Sequence, residues 1–278
     1  MRAPLYAAMV VALAAGASAQ SLPIGPFHNS GQGVTPAFEG WFANPDGTYS
    51  ILFGYFNRNR QEEVDIPIGT DNRIEPSGPD RGQPTHFLPG RQWGLFTVTV
   101  PKDFGDQKIT WTLTVNGQTN TVPASLAALW ELEPLKDANG DTPPVLRFEG
   151  GASVQGPRPV TVSLRAAVAS PLALDVQASD DAKLIPGMQR PKSPPVTLTW
   201  SKFRGPGTVT LANPMPPVEP APDSEAAGAA FSGKASTTAT FSAPGEYLLY
   251  VVANDWTGKG GRGFQCCWTN ALVKVSVK

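Results

Sequence analysis

Hydrophobic residues recur at every second position through most of this chain, the period of a strand with one buried face. Tyr49, Ile51, Phe53 and Tyr55 share one face of a run that Asn44-Pro45-Asp46-Gly47 joins to the earlier "AFEGWFA". Proline presets φ at one turn position and glycine accepts positive φ at another, so the pair reads as a hairpin. Phe96, Val98 and Val100 alternate with Thr97 and Thr99. Ile109, Trp111, Leu113 and Val115 then lead into Asn116-Gly117, a type I′ turn signal. "SLAALWELEP" (125–134) fits either a short helical turn or a closing strand. Past residue 145 come "RPVTVSL", "LALDVQASD", "VTLTWSKF", "GTVTLA", "STTATF", "EYLLYVVAND" and "ALVKVSVK", seven further strand-like runs. The pattern predicts an all-β chain of two tandem antiparallel β-sandwiches of immunoglobulin-like type.

Two places break the alternation and set the predicted domain limits. "KDANGDTPP" (136–144) reads by composition as a linker between an N-terminal sandwich, 34–135, and a C-terminal one, 145–278. "NPMPPVEPAPDSEAAGAAFSG" (213–233) is rich in proline and alanine and is expected to be a mobile surface insertion. The N-terminus departs from both. One arginine, an apolar run from Leu5 to Ala15 and the small-residue site Ala17-Ser18-Ala19 predict a signal peptide over 1–19, cleaved before Gln20. That run is shorter than the roughly 20 residues of a spanning helix. The expected product is therefore exported, periplasmic or extracellular, without a membrane span, and opens on a flexible segment, 20–33.

Composition narrows the partners. The formal charge of −1 becomes about −2 once Arg2 leaves with the leader, which gives nucleic acid nothing to bind. An envelope glycan or protein is the expected partner class, and the sequence sets no oligomeric state.

In the second block, Trp200, Gly205-Pro206-Gly207, Phe241, Pro244-Gly245, Tyr247 and Asp255 stand in "LTWSKFRGPGTVTL" and "STTATFSAPGEYLLYVVANDW". This arrangement resembles the bacterial PKD-like, immunoglobulin-like repeat family over about half of that block. The resemblance implies a non-catalytic extracellular module for adhesion, spacing or ligand binding. The 213–233 insertion and "GKGGRGFQCCW" depart from the family, which has a short hairpin at the latter place. The first block resembles the N-terminal block of exported bacterial proteins that carry no known function. Tyr247 suits a tyrosine corner, and Trp200 the centre between the sheets.

Candidate chemistry is sparse. His28 and His86 are the two histidines, and only His86 is placed to act as a base; no Gly-x-Ser-x-Gly elbow accompanies it. A secreted hydrolase of polysaccharide or peptide using His86 or the acidic pairs is the alternative to a binding module, so enzymatic activity stays open and more weakly supported. Glu62-Glu63-x-Asp65 reads as a solvated strand edge. Asp180-Asp181 and Asn254-Asp255 each end a strand, and if those ends meet, their hard oxygens suit Ca²⁺; turn capping is the competing role. The polar stretch after the first hairpin brings Tyr55, Asn57, Arg58, Asn59, Arg60, Arg81, His86, Arg91 and Trp93 together in sequence. Guanidinium forks beside aromatic rings suit sugars, carboxylates or a partner's acidic groups, and hydrogen bonding within an ordered loop competes. Cys266 and Cys267 are adjacent. A vicinal disulfide, two buried thiols and an intermolecular crosslink compete there, with copper binding a further option that lacks nearby Met or His. The parity of Val273, Val275 and Val277 turns Cys267 inward and places "FQCCW" in an irregular segment before Ala271.

Overall fold

The structure, a computed structural model, describes residues 28–149, 153–157, 161–184, 187, 189, 192–224, 230–256 and 266–278. The expected leader (1–19) and residues 20–27 lie outside the described residues. The N-terminal half forms β1 (Val34–Ala43), β2 (Tyr49–Asn57), β3 (Val64–Asp65), β4 (Asn72–Glu75), β5 (His86–Phe87), β6 (Gly90–Val100), β7 (Ile109–Val115) and β8 (Gln118–Ala124). Sheets β1-β2-β6 and β4-β7-β8 enclose a core of Ile51, Phe53, Phe96, Val98 and Trp111, and β3 pairs with β5 beside them. The β1–β2 hairpin turns at Asn44–Gly47, and both Asn116 and Gly117 take positive φ, as a type I′ turn requires. The 125–134 segment becomes a single 3₁₀ turn, Ala128–Trp130, whose exit bonds back to Trp41.

The C-terminal half forms β9 (Val145–Phe148), β10 (Ser153–Gln155), β11 (Thr161–Ala166), β12 (Leu172–Asp180), β13 (Thr197–Arg204), β14 (Val209–Leu211), β15 (Glu219–Pro220), β16 (Phe231–Phe241), β17 (Gly245–Asn254) and β18 (Trp268–Val277). One sheet runs β10-β9-β12-β16-β14, with β15 on β16, and the other β11-β18-β17-β13. All of these pairs are antiparallel except β11–β18. Trp200 and Tyr247 lie in the core between the sheets, and Tyr247 donates from its hydroxyl to the Ala243 carbonyl at 2.8 Å, a tyrosine corner. Gly205 lies against that ring, where a Cβ would collide with it.

Three segments are less free than their composition suggests. Residues 28–33 are tied down, because the His28 and Asn29 carbonyls accept from Arg60, Gln61 and Glu62, and Gly33 accepts from Arg58. In the insertion, Trp200 donates its backbone N–H to Pro214, Val218 is buried and β15 pairs with β16. Residues 219–221 thereby wall a groove of about 520 Å³ over β9, β12 and β16, while residues 225–229 lie outside the described residues. The 136–144 stretch folds on itself and buries Asp141 against the C-terminal sandwich. In the first two segments long-range backbone hydrogen bonds supply the order, and in the third a local turn does, held by side chains of the C-terminal sandwich.

The two sandwiches are joined through a shared wall. Phe203 and Tyr250 project from the outer face of β13 and β17 into the N-terminal core, with Leu248, Val252 and Leu272 packed beside them. The register between β2 and β6 slips where Trp93, Gly94 and Leu95 bulge out, and β18 docks on that bulge. Asn270 Nδ2 donates to the Gly94 carbonyl at 2.7 Å, and Trp268 lies against Gly94. At the other end, Arg204 holds Asp80 with two bonds of 3.0 and 2.8 Å and donates to Gln83 at 2.7 Å.

Gly94 has φ of +54°, and a Cβ there would lie 2.5 Å from the Trp268 ring. Gly94→Ala should therefore cost about 1–3 kcal/mol in urea denaturation while keeping one cooperative transition; a loss below about 0.5 kcal/mol would contradict this docking. The hydrogen bonds from Arg204 hold the Asp80 carboxyl below its ordinary value. That link supports folding above about pH 4 and is lost as pH falls through the lowered value. Asp80→Asn should flatten the acid limb of the melting curve, and an unaltered limb would count against the clasp.

Candidate functional site

The polar stretch that looked most like a binding loop divides into an inner and an outer set. Exposure alternates from 56 to 60: Phe56, Arg58 and Arg60 face solvent, and Asn57 and Asn59 are buried. Asn57 Nδ2 donates to the Glu62 and Phe87 carbonyls, and its Oδ1 accepts from Asn59. Asn59 in turn exchanges bonds with Gln32. The Tyr55 hydroxyl accepts from Leu88 at 2.7 Å, and its ring packs on Phe87. Arg81 donates to the Pro76 and Thr99 carbonyls. These four side chains are committed to folding.

Arg91 is committed as well. Glu39 enters the β6 bulge, taking Arg91 Nη2 and the Gly94 N–H at 2.5 Å each. Burial raises the Glu39 pKa against the opposing pull of Arg91 and Gly94. The Arg91 guanidinium lies 3.8 Å from the Trp93 ring centroid. His86 is buried between carboxylates, with Nδ1 2.9 Å from Asp65 and Nε2 3.2 Å from Glu63. Lys202 of the C-terminal sandwich reaches the same Asp65 at 3.3 Å. Both imidazole nitrogens are engaged, so neither is presented to a nucleophile or a substrate. Of the sequence-named set, Arg58, Arg60 and Trp93 (40% exposed) reach the surface, and Phe56 (44% exposed), which the set did not contain, lies beside them. Phe56 is the cross-strand neighbour of Arg91, whose guanidinium lies over Trp93, so the two exposed rings belong to one patch of the β2–β6 pair.

A second cluster lies where the C-terminal ends of β12 and β17 meet the start of β18. Cys266 and Cys267 are both buried and joined by a disulfide across a cis peptide. Their sulfurs lie 3.9 and 3.5 Å from the Asp141 carbonyl oxygen. The strand begins at Trp268, three residues earlier than the hydrophobic pattern indicated, because Trp268 and Asn270 are buried against the N-terminal sandwich. Thr269 faces the other way, accepting from Gly156 and donating to Pro144. Adjacent residues of β18 thus bind different halves of the protein.

Around the disulfide gather Asp141, Asp180, Asp181 and Asp255. Asp180, Asp181 and Asp255 were named from sequence with Asn254, whose carbonyl accepts from Thr197. Asp141 was missed because it belongs to the stretch read as linker. Its signal was the Asp137-x-Asn139-x-Asp141 spacing: the Asp137 carboxylate accepts from the N–H groups of Asn139 and Asp141, and the resulting turn aims Asp141 inward. Carboxylate oxygens of Asp141 and Asp255 and the Cys267 sulfur lie within 4.8 Å of one another. Burial, then the Asp181 and Asp255 carboxylates, push Asp141 up to about 9. Burial also lifts Asp180 to about 7, helped by Asp255 and Asp181 against an Ala182 N–H bond. Thr142 and Lys183 bond Asp181 at 3.1 and 3.2 Å.

No family model matches the chain, and no curated protein matches it. Among solved structures it is similar to domains 4 and 5 of the S-layer protein SbsC, at 13% identity over 88% of this chain and 98% of that one, TM-score 0.23. It is also similar to titin A168169, at 10% identity over 87% and 98%, TM-score 0.24. The third is Rst D1-D2, at 11% identity over 89% and 100%, TM-score 0.25. Likenesses this faint bear on neither ligand nor activity. No helix among the described residues is long and apolar enough to cross a membrane.

Reduction of the unfolded protein should add about 2 Da to the monomer by intact mass. An unchanged monomer mass, or a dimer released by reductant, would contradict the Cys266–Cys267 pairing.

Proposed function

We propose that this protein is an exported, non-catalytic binding module of the cell envelope, in which a rigid tandem of sandwiches presents one face to a partner. The observation that supports this reading is the division of the polar stretch. The groups a hydrolase would need free, His86 with Asp65 and Glu63, are bonded to one another, while the Phe56 and Trp93 rings and Arg58 face solvent. Exposed large aromatics are costly to leave in water, and flat rings beside guanidinium groups recognise ring-shaped, acidic ligands. A carboxylated envelope polysaccharide suits that chemistry, and the shared wall between the halves would keep the face at a fixed angle. Export rests on the predicted leader and on the disulfide, which an oxidising compartment preserves.

Retention of the mature protein on purified envelope polysaccharide tests the reading. Phe56→Ala, Arg58→Ala and Trp93→Ala should each weaken retention about tenfold or more with little change in melting temperature. Arg91→Ala should instead lower stability, since it strips Glu39 of its counter-charge. Full retention by the first three variants would overturn the proposed face, and retention only on envelope protein would transfer it to a protein partner.

A further inference from the structure

We propose that the carboxylates above the Cys266–Cys267 disulfide form a calcium site that closes the gap between the 136–144 turn and the ends of β12 and β17. The Asp141 side chain is 3% exposed, and among the described residues no N–H or hydroxyl donor reaches either of its carboxylate oxygens, only the carboxyls of Asp181 and Asp255. Its neighbours are Asp181 and Asp255, acceptors like itself, and Asp180 stands next to those two with Oδ2 also unbonded. Buried carboxylates are matched with donors or counter-ions wherever a fold has them, because an uncompensated charge in a dry setting is expensive. Among the described residues, Lys183 is the cation bonded to this cluster. It serves Asp181 and the Gly140 carbonyl on the solvent side and leaves Asp141 uncompensated.

Asp141 has two ways out. It can keep its proton against its neighbours, or a divalent cation can take that proton's place. The donor set selects the cation. Cys267 is within ligand range, but its sulfur is spent in the disulfide and is no thiolate, so the donors that remain are hard oxygens. Oxygen-only sets with three or more carboxylates favour Ca²⁺ over zinc or copper. Asp141, Asp181 and Asp255 would supply ligands, with Asp180 beside them and solvent completing the shell. The disulfide has its own part: both sulfurs press on the Asp141 carbonyl and give the turn a rigid floor. Calcium would thus join the 136–144 turn to the same segment that docks Trp268 and Asn270 on the N-terminal sandwich.

The test uses the full mature chain, disulfide intact, stripped with chelator and titrated with CaCl₂, MgCl₂ and ZnCl₂ in separate arms. Calorimetry should find one calcium per chain with a Kd of roughly 10⁻⁴–10⁻³ M, as in other extracellular modules. The melting temperature should climb with calcium as mass action requires, and much less with magnesium. Asp141→Asn should weaken calcium binding at least about tenfold, yet melt in chelator no lower than the unaltered protein, because a neutral amide of the same shape stands where the metal-free carboxyl has to hold its proton. Should that variant fail to fold, Asp181→Asn replaces it, and terbium luminescence of the unaltered protein, quenched by added calcium, reads the same site. No calcium-dependent shift and no terbium signal would overturn the proposal. So would an undiminished calcium response in the variants, or a stronger response to zinc while the disulfide is intact.

Discussion

In an ordinary β-sandwich each sheet has one dry face and one wet face, and the sheet β11-β18-β17-β13 departs from that rule where β13, β17 and β18 meet the N-terminal core. Its inner face carries Trp200, Leu249, Val251, Val273 and Val275 into its own core. Its outer face carries Phe203 and Tyr250 into the N-terminal core, where each contributes on the order of 1.5–3 kcal/mol by leaving water. The N-terminal sandwich is therefore completed by side chains that arrive some 80 to 200 residues later in the chain. Its β6 bulge, the Glu39–Arg91 pair inside that bulge and the Asp80–Arg204 clasp all follow from holding that wall in place.

The start of β18 shows how tightly the two requirements are coupled. Trp268 and Asn270 turn toward Gly94, while Cys267, Thr269 and Ala271 turn toward their own sandwich and the 136–144 turn. A strand whose alternate residues serve two different bodies has no freedom to slip, because a one-residue shift would exchange the two sets. The disulfide immediately before it and the carboxylates above it lie at the same junction. Trp93, one of the two exposed rings, is the chain neighbour of Gly94 and inherits its position from that junction.

Most of the fold was legible in the alternation of hydrophobic positions. The hairpin at Asn44–Gly47, the I′ turn at Asn116-Gly117, the tyrosine corner at Tyr247 and the inward parity of Val273 to Val277 all depend on local sequence, and the structure has each. The short strands β3, β5, β10 and β15 were not legible, since two or three residues carry no period. The division of the polar loop was not legible either: nothing local distinguishes Asn57, which bonds the Glu62 and Phe87 carbonyls, from Arg58, which faces solvent. Asp141 was hidden by its setting. Gly, Pro, Asp and Asn in a row mark a turn, and whether a turn is slack or buried is decided by what packs against it.

Native-state hydrogen exchange by NMR tests the shared wall most directly. The Thr85 amide bonds the Phe203 carbonyl across the junction, and the β7 and β17 amides report the two cores. If the sandwiches stand or fall together, the slowest amides of β6 and β7 should open with the same free energy and denaturant dependence as those of β17 and β18. Exchange of the β6 and β7 amides through a smaller, separate opening, with β17 and β18 still protected, would show two independent bodies and contradict it.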